Sequence, residues 1–273
     1  RTALALKGSV TPLDGAFDLT AEGSTDDLKL GIAQADAVLA GRTTVSMQAK
    51  RDETGTFLRD LILRNAALNL TGRAALRTDN SDVEADFRLE DIALVLPQYE
   101  GPVTVSATAT QDSAGWRVDA RTQGPYDAAL TAKGLATGPN ANIAFTADVP
   151  EVKPFADQIE GAVTAEGTLR QTADGWRVDT KATGPYDLAA AVEGLITPLD
   201  ITFDVAAPEV SALVPQVTGA VRAQGRLRQT QNGLEIETNA TGPYRVRAAV
   251  AGQISPKIAI TYDLTLPDVR PLA

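Results

Sequence analysis

A chain that copies itself at a fixed interval can only build copies that stack against one another, and this sequence does so. GWRVDARTQGPYD begins at Gly115, GWRVDTKATGPYD at Gly175 and GLEIETNATGPYR at Gly233, offsets of 60 and 58 residues. The segments opening at Gly101 (GPVTVSATAT), Gly161 (GAVTAEGTLRQT) and Gly219 (GAVRAQGRLRQT) keep the same phase, and a more divergent copy opens at Gly41 (GRTTVSMQAK). Residues 1–40 match only the second half of a unit, because Thr11-Pro12-Leu13-Asp14 with Phe17 mirrors Thr197-Pro198-Leu199-Asp200 with Phe203. The units are therefore a half-repeat at 1–40 and repeats at 41–100, 101–160, 161–218 and 219–273. They form one continuous array with no true domain boundary, and the phase predicts that it continues past both ends.

Inside one unit the hydrophobic period is two, the signature of a strand with one apolar face. In 161–218, Val163, Ala165, Gly167 and Leu169 face one way, and Thr164, Glu166, Thr168 and Arg170 the other. Trp176 and Val178 then oppose Arg177, Asp179 and Lys181. After Gly184-Pro185, the positions Tyr186, Leu188, Ala190, Val192 and Ile196 continue the apolar side, and after Pro198 so do Ile201, Phe203 and Val205. Gly-Pro and Thr-Pro pairs mark the joints, where proline sets φ and glycine is expected to supply the unusual backbone angles. Each unit closes with a proline-bearing stretch (Leu89 to Pro97, Pro150 to Pro154, Pro208 to Pro215) that reads as a turn or one helical turn. The fold class is all-β: an elongated antiparallel meander of about four strands per repeat, 16 to 18 in total.

Composition narrows the function. The 273 residues include no His, no Cys and one Met, Met47, which removes imidazole and thiolate chemistry and the usual zinc and haem ligands. A formal charge of −10 argues against nucleic acid as a partner. No Gly-x-Ser-x-Gly, P-loop or dinucleotide fingerprint occurs, so the chain reads as a non-enzyme with no cofactor. Apolar residues make up 44% but aromatics only 5%, and direct counts give 45 Ala and 30 Thr. Side chains that small fill a core poorly.

The apolar face must nevertheless be covered, and no long segment of helical period is available to cover it. The sheet is expected to curl and leave a cleft fit for an acyl chain. Its candidate lining is Val103, Val105, Trp116, Val118, Ile143, Phe145, Val163, Leu169, Trp176, Val178, Leu188 and Val192, continued by Ile201, Phe203, Val205, Val221, Leu227, Leu234, Ile236, Val246, Val250, Ile258, Ile260 and Leu264. The same stripe could be plain core.

Trp116 and Trp176, with Leu234 in the third copy, read as packing anchors beside a turn. The Gly-Pro-Tyr triplets read as turn chemistry, with Tyr126, Tyr186 and Tyr244 at the rim. Glu90, Glu151, Glu209 and Asp268 form an acidic column at the connectors whose plainest role is to solvate a bend. Asp79-Asn80-Ser81-Asp82 lacks the central Gly and distant Glu of a calcium loop and reads as a turn. Asp26-Asp27 and Glu90-Asp91 are sequence neighbours on opposite faces, not an acid–base pair.

The β unit of roughly 60 residues, the openings GAVTAEGTLRQT and GAVRAQGRLRQT, and the connectors PEVSALVPQVTG and DVPEVKPFADQIEG together resemble the repeat region of the TamB and AsmA-like family of Gram-negative envelope proteins. The resemblance covers nearly the whole chain. It implies a curved, taco-like sheet with an apolar interior groove in the periplasm, in a protein anchored at the inner membrane. The implied role is transport of phospholipid between the membranes, or help in outer-membrane protein assembly beside a barrel partner. Anchor and partner contacts would lie outside these residues, and no catalytic residue is implied. The rival readings are a β-repeat stalk without ligand and a porin-like barrel; 13 aromatics scattered over all strands make the girdles of such a barrel hard to build.

Overall fold

The computed structural model describes residues 2–11, 15–29, 31–155, 159–211 and 217–267. Alternation of β-branched and small residues with polar ones produces, among the described residues, eighteen strands in an antiparallel meander. They fall into two compact units, Arg1–Gly138 and Pro139–Ala273. The first holds β1 (Thr2–Thr11), β2 (Ala16–Asp26), β3 (Arg42–Asp52), β4 (Gly55–Arg64), β5 (Leu68–Leu76), β6 (Asp82–Leu89), β7 (Val103–Asp112), β8 (Gly115–Gln123) and β9 (Ala129–Leu135). The second holds β10 (Asn142–Val149), β11 (Val163–Thr172), β12 (Gly175–Thr183), β13 (Ala189–Thr197), β14 (Leu199–Ala207), β15 (Val221–Thr230), β16 (Gly233–Thr241), β17 (Arg247–Ser255) and β18 (Ala259–Thr265). Within each unit every strand pairs with its sequence neighbour. Among the described residues no pairing joins the first strand of a unit to its last, so neither closes into a barrel.

The repeats map onto strands in fours: β3–β6 for 41–100, β11–β14 for 161–218 and β15–β18 for 219–273. The lengths of turns and connectors return each strand to the same height, so apolar positions lie directly opposite one another. In the second unit one row reads Ile143–Leu169–Val178–Gly194 and then Ile201–Leu227–Ile236–Gly252. The next reads Phe145–Gly167–Thr180–Val192 and then Phe203–Gly225–Thr238–Val250. A third is nearly all alanine: Ala147–Ala165–Ala182–Ala190, then Val205–Ala223–Ala240–Ala248. The first unit has matching rows, Leu63–Leu70–Phe87–Val105–Thr122 and Gly72–Ala85–Ala107–Ala120–Ala132.

Three local features differ from the sequence expectation. At the Gly-Pro-Tyr joints the glycines are extended, with φ of −104°, −136° and −142° for Gly124, Gly184 and Gly242. The left-handed angles fall on the two residues after proline: Tyr126 and Asp127 (59° and 58°), Tyr186 and Asp187 (61° and 58°), Tyr244 and Arg245 (58° and 62°). Two successive left-handed residues make the hairpin turn whose twist matches its strands. The turn is closed by Ala128 N–H donating to Pro125 O at 3.2 Å and Gly124 N–H donating to Ala128 O at 2.7 Å.

The second difference is a short helix, α1 (Ala33–Val38), in the connector before β3. Six residues are too few to show a helical period in sequence. Its Val38, with Leu39, packs on Leu68 and Leu89, and Leu63, Leu70, Phe87, Ile92, Val95 and Val103 surround this cluster. Ile92 and Val95 belong to the next connector, whose 3-10 turn spans Ile92–Leu94. The third is Ile258, assigned to the apolar stripe: it lies between the bend at Pro256 and Lys257 and the start of β18, and is 77% exposed.

Candidate functional site

Among the described residues the repeats share an extended apolar face. Twenty-one of the twenty-four lining candidates are half-buried, and none is fully buried. Ile258, Ile260 and Leu264 are exposed. Leu188 and Val246 stand at the last position of the Gly-Pro-Tyr turns and close them by donating to Pro185 O and Pro243 O, at 3.2 and 3.1 Å. Trp116 and Trp176 start the second strand of their hairpins, opposite Gln111 and Gln171. Among the described residues the only secondary structure besides strands is α1 and four short 3-10 turns, and of these α1 and the turn at Ile92–Leu94 cover apolar strand residues, Leu68 and Leu89.

Where a large side chain would leave a gap, the repeat fills it from the neighbouring strand. Phe145 lies opposite Gly167 and Phe203 opposite Gly225. A Cβ on Gly225 would meet Phe203 Cζ at 2.5 Å and the main-chain oxygen of Glu237 at 2.4 Å, so only glycine fits beneath the ring. The sequence reading placed both phenylalanines, Gly167, Ala165 and Ala190 on the apolar side, but did not pair ring with glycine or join the alanines into a row across strands. Spacing of 22 residues between Phe and Gly was the available signal.

The connectors are fastened by carboxylates, a role the acidic column did not suggest. Glu151 Oε1 accepts from the N–H groups of Lys153 (3.0 Å) and Gly161 (2.9 Å), and Glu209 Oε1 from Ser211 and Gly219, both at 2.9 Å. In the 41–100 repeat the clasp is Asp91, accepting from Ala93 (3.0 Å) and Gly101 (3.1 Å), while Glu90 pairs with Arg88 at 2.7 Å. Before β3, Asp27 accepts from Gly41 at 2.9 Å. Each clasp ends on the glycine that opens the next repeat, and Gly101, Gly161 and Gly219 have φ of 112°, 116° and 117° with the ring of Pro125, Pro185 or Pro243 beside them. The main-chain donors of Gly161 and Gly219 hold the Glu151 and Glu209 carboxyls below the usual range. Asp268 lies outside the described residues, as do Pro12 to Asp14 and Leu213 to Pro215.

The polar face carries ion pairs instead. Arg228 pairs with Glu235 at 3.0 Å and Lys133 with Asp119 at 2.7 Å; Arg222 with Asp204 and Arg226 with Asp200 form two-pronged pairs. Arg222, then Gln224, holds Asp204 down to about 2. Open depressions of about 380 Å³ between Glu166, Thr168, Asp179 and Lys181, and of about 280 Å³ between Glu84, Asp86, Ser106 and Arg121, lie on this face. In the second, Glu84 pairs with Arg73 and Asp86 accepts from the Ser106 hydroxyl. Residues 79–81 lie in the turn that leads into β6 at Asp82, closed by Ser81, whose hydroxyl accepts from Arg77 N–H (2.9 Å) and donates to Arg77 O (2.8 Å). No three or more acidic side chains gather to hold a metal among the described residues, and no helix is long and apolar enough to cross a membrane.

The arrangement can therefore shield something apolar along rows that cross many strands. Comparison with protein-family models, with curated proteins and with solved structures found no match.

Proposed function

We propose that the apolar face shields phospholipid acyl chains from water, in a periplasmic segment of an envelope protein that bridges the inner and outer membranes. The observation that carries this reading is the set of apolar rows that remain half-exposed across each nine-strand unit. Covering an acyl chain of about 16 carbons at about 0.8 kcal/mol per CH2 is worth on the order of 10 kcal/mol, comparable to the stability of a domain. A row of alanine between bulkier rows leaves depth for such a chain without moving any backbone. The openings and connectors that resemble the TamB and AsmA-like repeats support the envelope setting; an inner-membrane anchor and contact with an outer-membrane assembly partner belong to regions outside these residues.

Extraction of the purified protein and mass spectrometry test the proposal, together with photocrosslinking from Val178 and Ile236. Bound phospholipid and lipid crosslinks are expected. The stalk reading is favoured by one observation, that carboxylate clasps and a connector core fasten the chain from its own residues. It predicts no bound lipid and crosslinks only to the chain itself.

A further inference from the structure

The tight hairpins between the first and second strands of the repeats are built alike. β3 turns into β4 through Asp52-Glu53-Thr54-Gly55, and β7 into β8 through Asp112-Ser113-Ala114-Gly115. β11 turns into β12 through Thr172-Ala173-Asp174-Gly175, and β15 into β16 through Thr230-Gln231-Asn232-Gly233. In each, the first residue stands opposite the glycine, whose φ is 149°, 129°, 131° and 129° in turn. In three of them the side chain of the first residue accepts from the N–H of the third: Asp52 from Thr54 (2.9 Å), Asp112 from Ala114 (2.8 Å) and Thr230 from Asn232 (3.3 Å). The residue before the glycine is what varies: Thr54, Ala114, Asp174 and Asn232.

That variation matters chemically, because asparagine is thermally labile. Its side-chain amide can be attacked by the main-chain nitrogen of the next residue, and a glycine there leaves that nitrogen open to approach. Of the seven asparagines in the chain only Asn232 precedes a glycine. Asn232 is exposed, and its carboxamide makes no hydrogen bond to a described residue. Its main chain is pinned instead. The N–H donates to Thr230, and the carbonyl accepts from Gln253 Nε2, which also donates to Ser255 O at 2.9 Å. Asn65 shows the opposite case: its carboxamide donates to Val38 O (2.8 Å) and accepts from the N–H groups of Ala67 and Leu68, and the residue after it is Ala66.

We propose that Asn232 is a site of spontaneous deamidation in the folded protein. The Gly233 nitrogen, its proton passing to water, bonds to Asn232 Cγ; the side-chain nitrogen leaves as ammonia and a cyclic imide remains. Water then opens the ring at either carbonyl and yields aspartate or isoaspartate, so the net change is water consumed and ammonia released. Aspartate is what the β11–β12 hairpin already holds at Asp174, so that product fits the turn. Isoaspartate routes the chain through the side-chain carbon and lengthens it just before Gly233, where the place of a Cβ lies against the main-chain oxygen of Ser255. The glycine has little room to shift toward β17, and the carbonyl that Gln253 holds is no longer part of the chain. Isoaspartate therefore loosens β17 from β16, and both products add negative charge at this hairpin. The inference does not rest on the lipid reading.

Incubation of the folded chain in warm, mildly alkaline buffer, followed by digestion and mass spectrometry, reads each asparagine separately. The peptide holding Asn232 should convert severalfold faster than those holding Asn140 and Asn239, which are also exposed but precede Ala141 and Ala240. Enzymatic methyl labelling should detect isoaspartate, and Asn232→Ala, the residue of the β7–β8 hairpin, should remove most of that label. Freshly prepared Asn232→Asp should move the melting temperature by no more than about 2 °C. Hydrogen exchange in β17 should be faster in the aged protein than in that variant. Conversion of Asn232 no faster than that of Asn140 and Asn239, or only in denaturant, would overturn the proposal, as would an aged chain whose β17 exchanges like that of fresh Asn232→Asp.

Discussion

The end of the first unit's apolar face and the middle of the second unit's face share one alternating pattern yet are buried to different degrees. Beneath α1 and the 3-10 turn, Leu68 and Leu89 are 6% and 3% exposed and pack on Val38 and Leu39. In the second unit, Val178, Val192 and Phe203 on neighbouring rows stay half-buried. The strands alone do not decide burial. What differs is the connector laid over the face, and the residues beneath it: large aliphatics under cover, alanine, glycine and threonine where the face is open. A covered end can hold the fold while an open middle remains available to a ligand.

The comparison is broken most directly by deleting bulk at each place. Leu89→Ala should cost about 2–4 kcal/mol in denaturant unfolding, and Val178→Ala about 1 kcal/mol or less, because the neighbours of a half-exposed residue are partly solvent. Equal losses would mean the open rows are closed by contacts as complete as those of the core. Gly225→Ala comes next. Its Cβ cannot coexist with Phe203 Cζ and the Glu237 oxygen, so a loss of about 1–3 kcal/mol is expected, with Phe203→Ala in the same chain recovering part of it. No recovery would show that the main-chain contact alone sets the cost.

Charge placed on the open rows sharpens the functional side. Val178→Asp should reduce co-purified lipid severalfold while the strand signal in circular dichroism persists. Arg177→Asp, next in sequence but on the other face near Glu193 (3.7 Å), should leave lipid unchanged. The smallest effect is that of acid. The Glu151 and Glu209 carboxyls are held low by main-chain donors, and Asp204 is held to about 2 by Arg222. Groups depressed in the folded state bind more protons when unfolded, so their contribution is complete above about pH 5 and fades as pH falls through the folded values. Melting temperature should be flat from pH 8 to 5 and fall below about pH 4.5, and Glu151→Ala with Glu209→Ala should remove part of that fall.

Strand positions were legible because alternation such as Val163, Ala165, Gly167, Leu169 is a local code, and the 58- and 60-residue offsets carry the register from copy to copy. The connectors were not. That Asp91 rather than Glu90 clasps Gly101 depends on which side chain points back along the loop, which neighbouring carboxylates do not reveal. The left-handed pair at Tyr186 and Asp187 was hidden because the nearby glycine offers the easier explanation. Ile258 has the right type and phase for the stripe, but the turn at Pro256 ends before it and β18 begins after it. Rows of glycine and alanine became visible as a surface only once the strands were set side by side.

Trp116 and Trp176 are the protein's only tryptophans and stand on the apolar side of their strands. Fluorescence during titration with phospholipid brominated on its acyl chains therefore reads the central claim. Quenching by chain-brominated lipid, lost in Val178→Asp and absent with headgroup-labelled lipid, is the predicted result. Unquenched emission from a folded protein at saturating lipid would contradict the account.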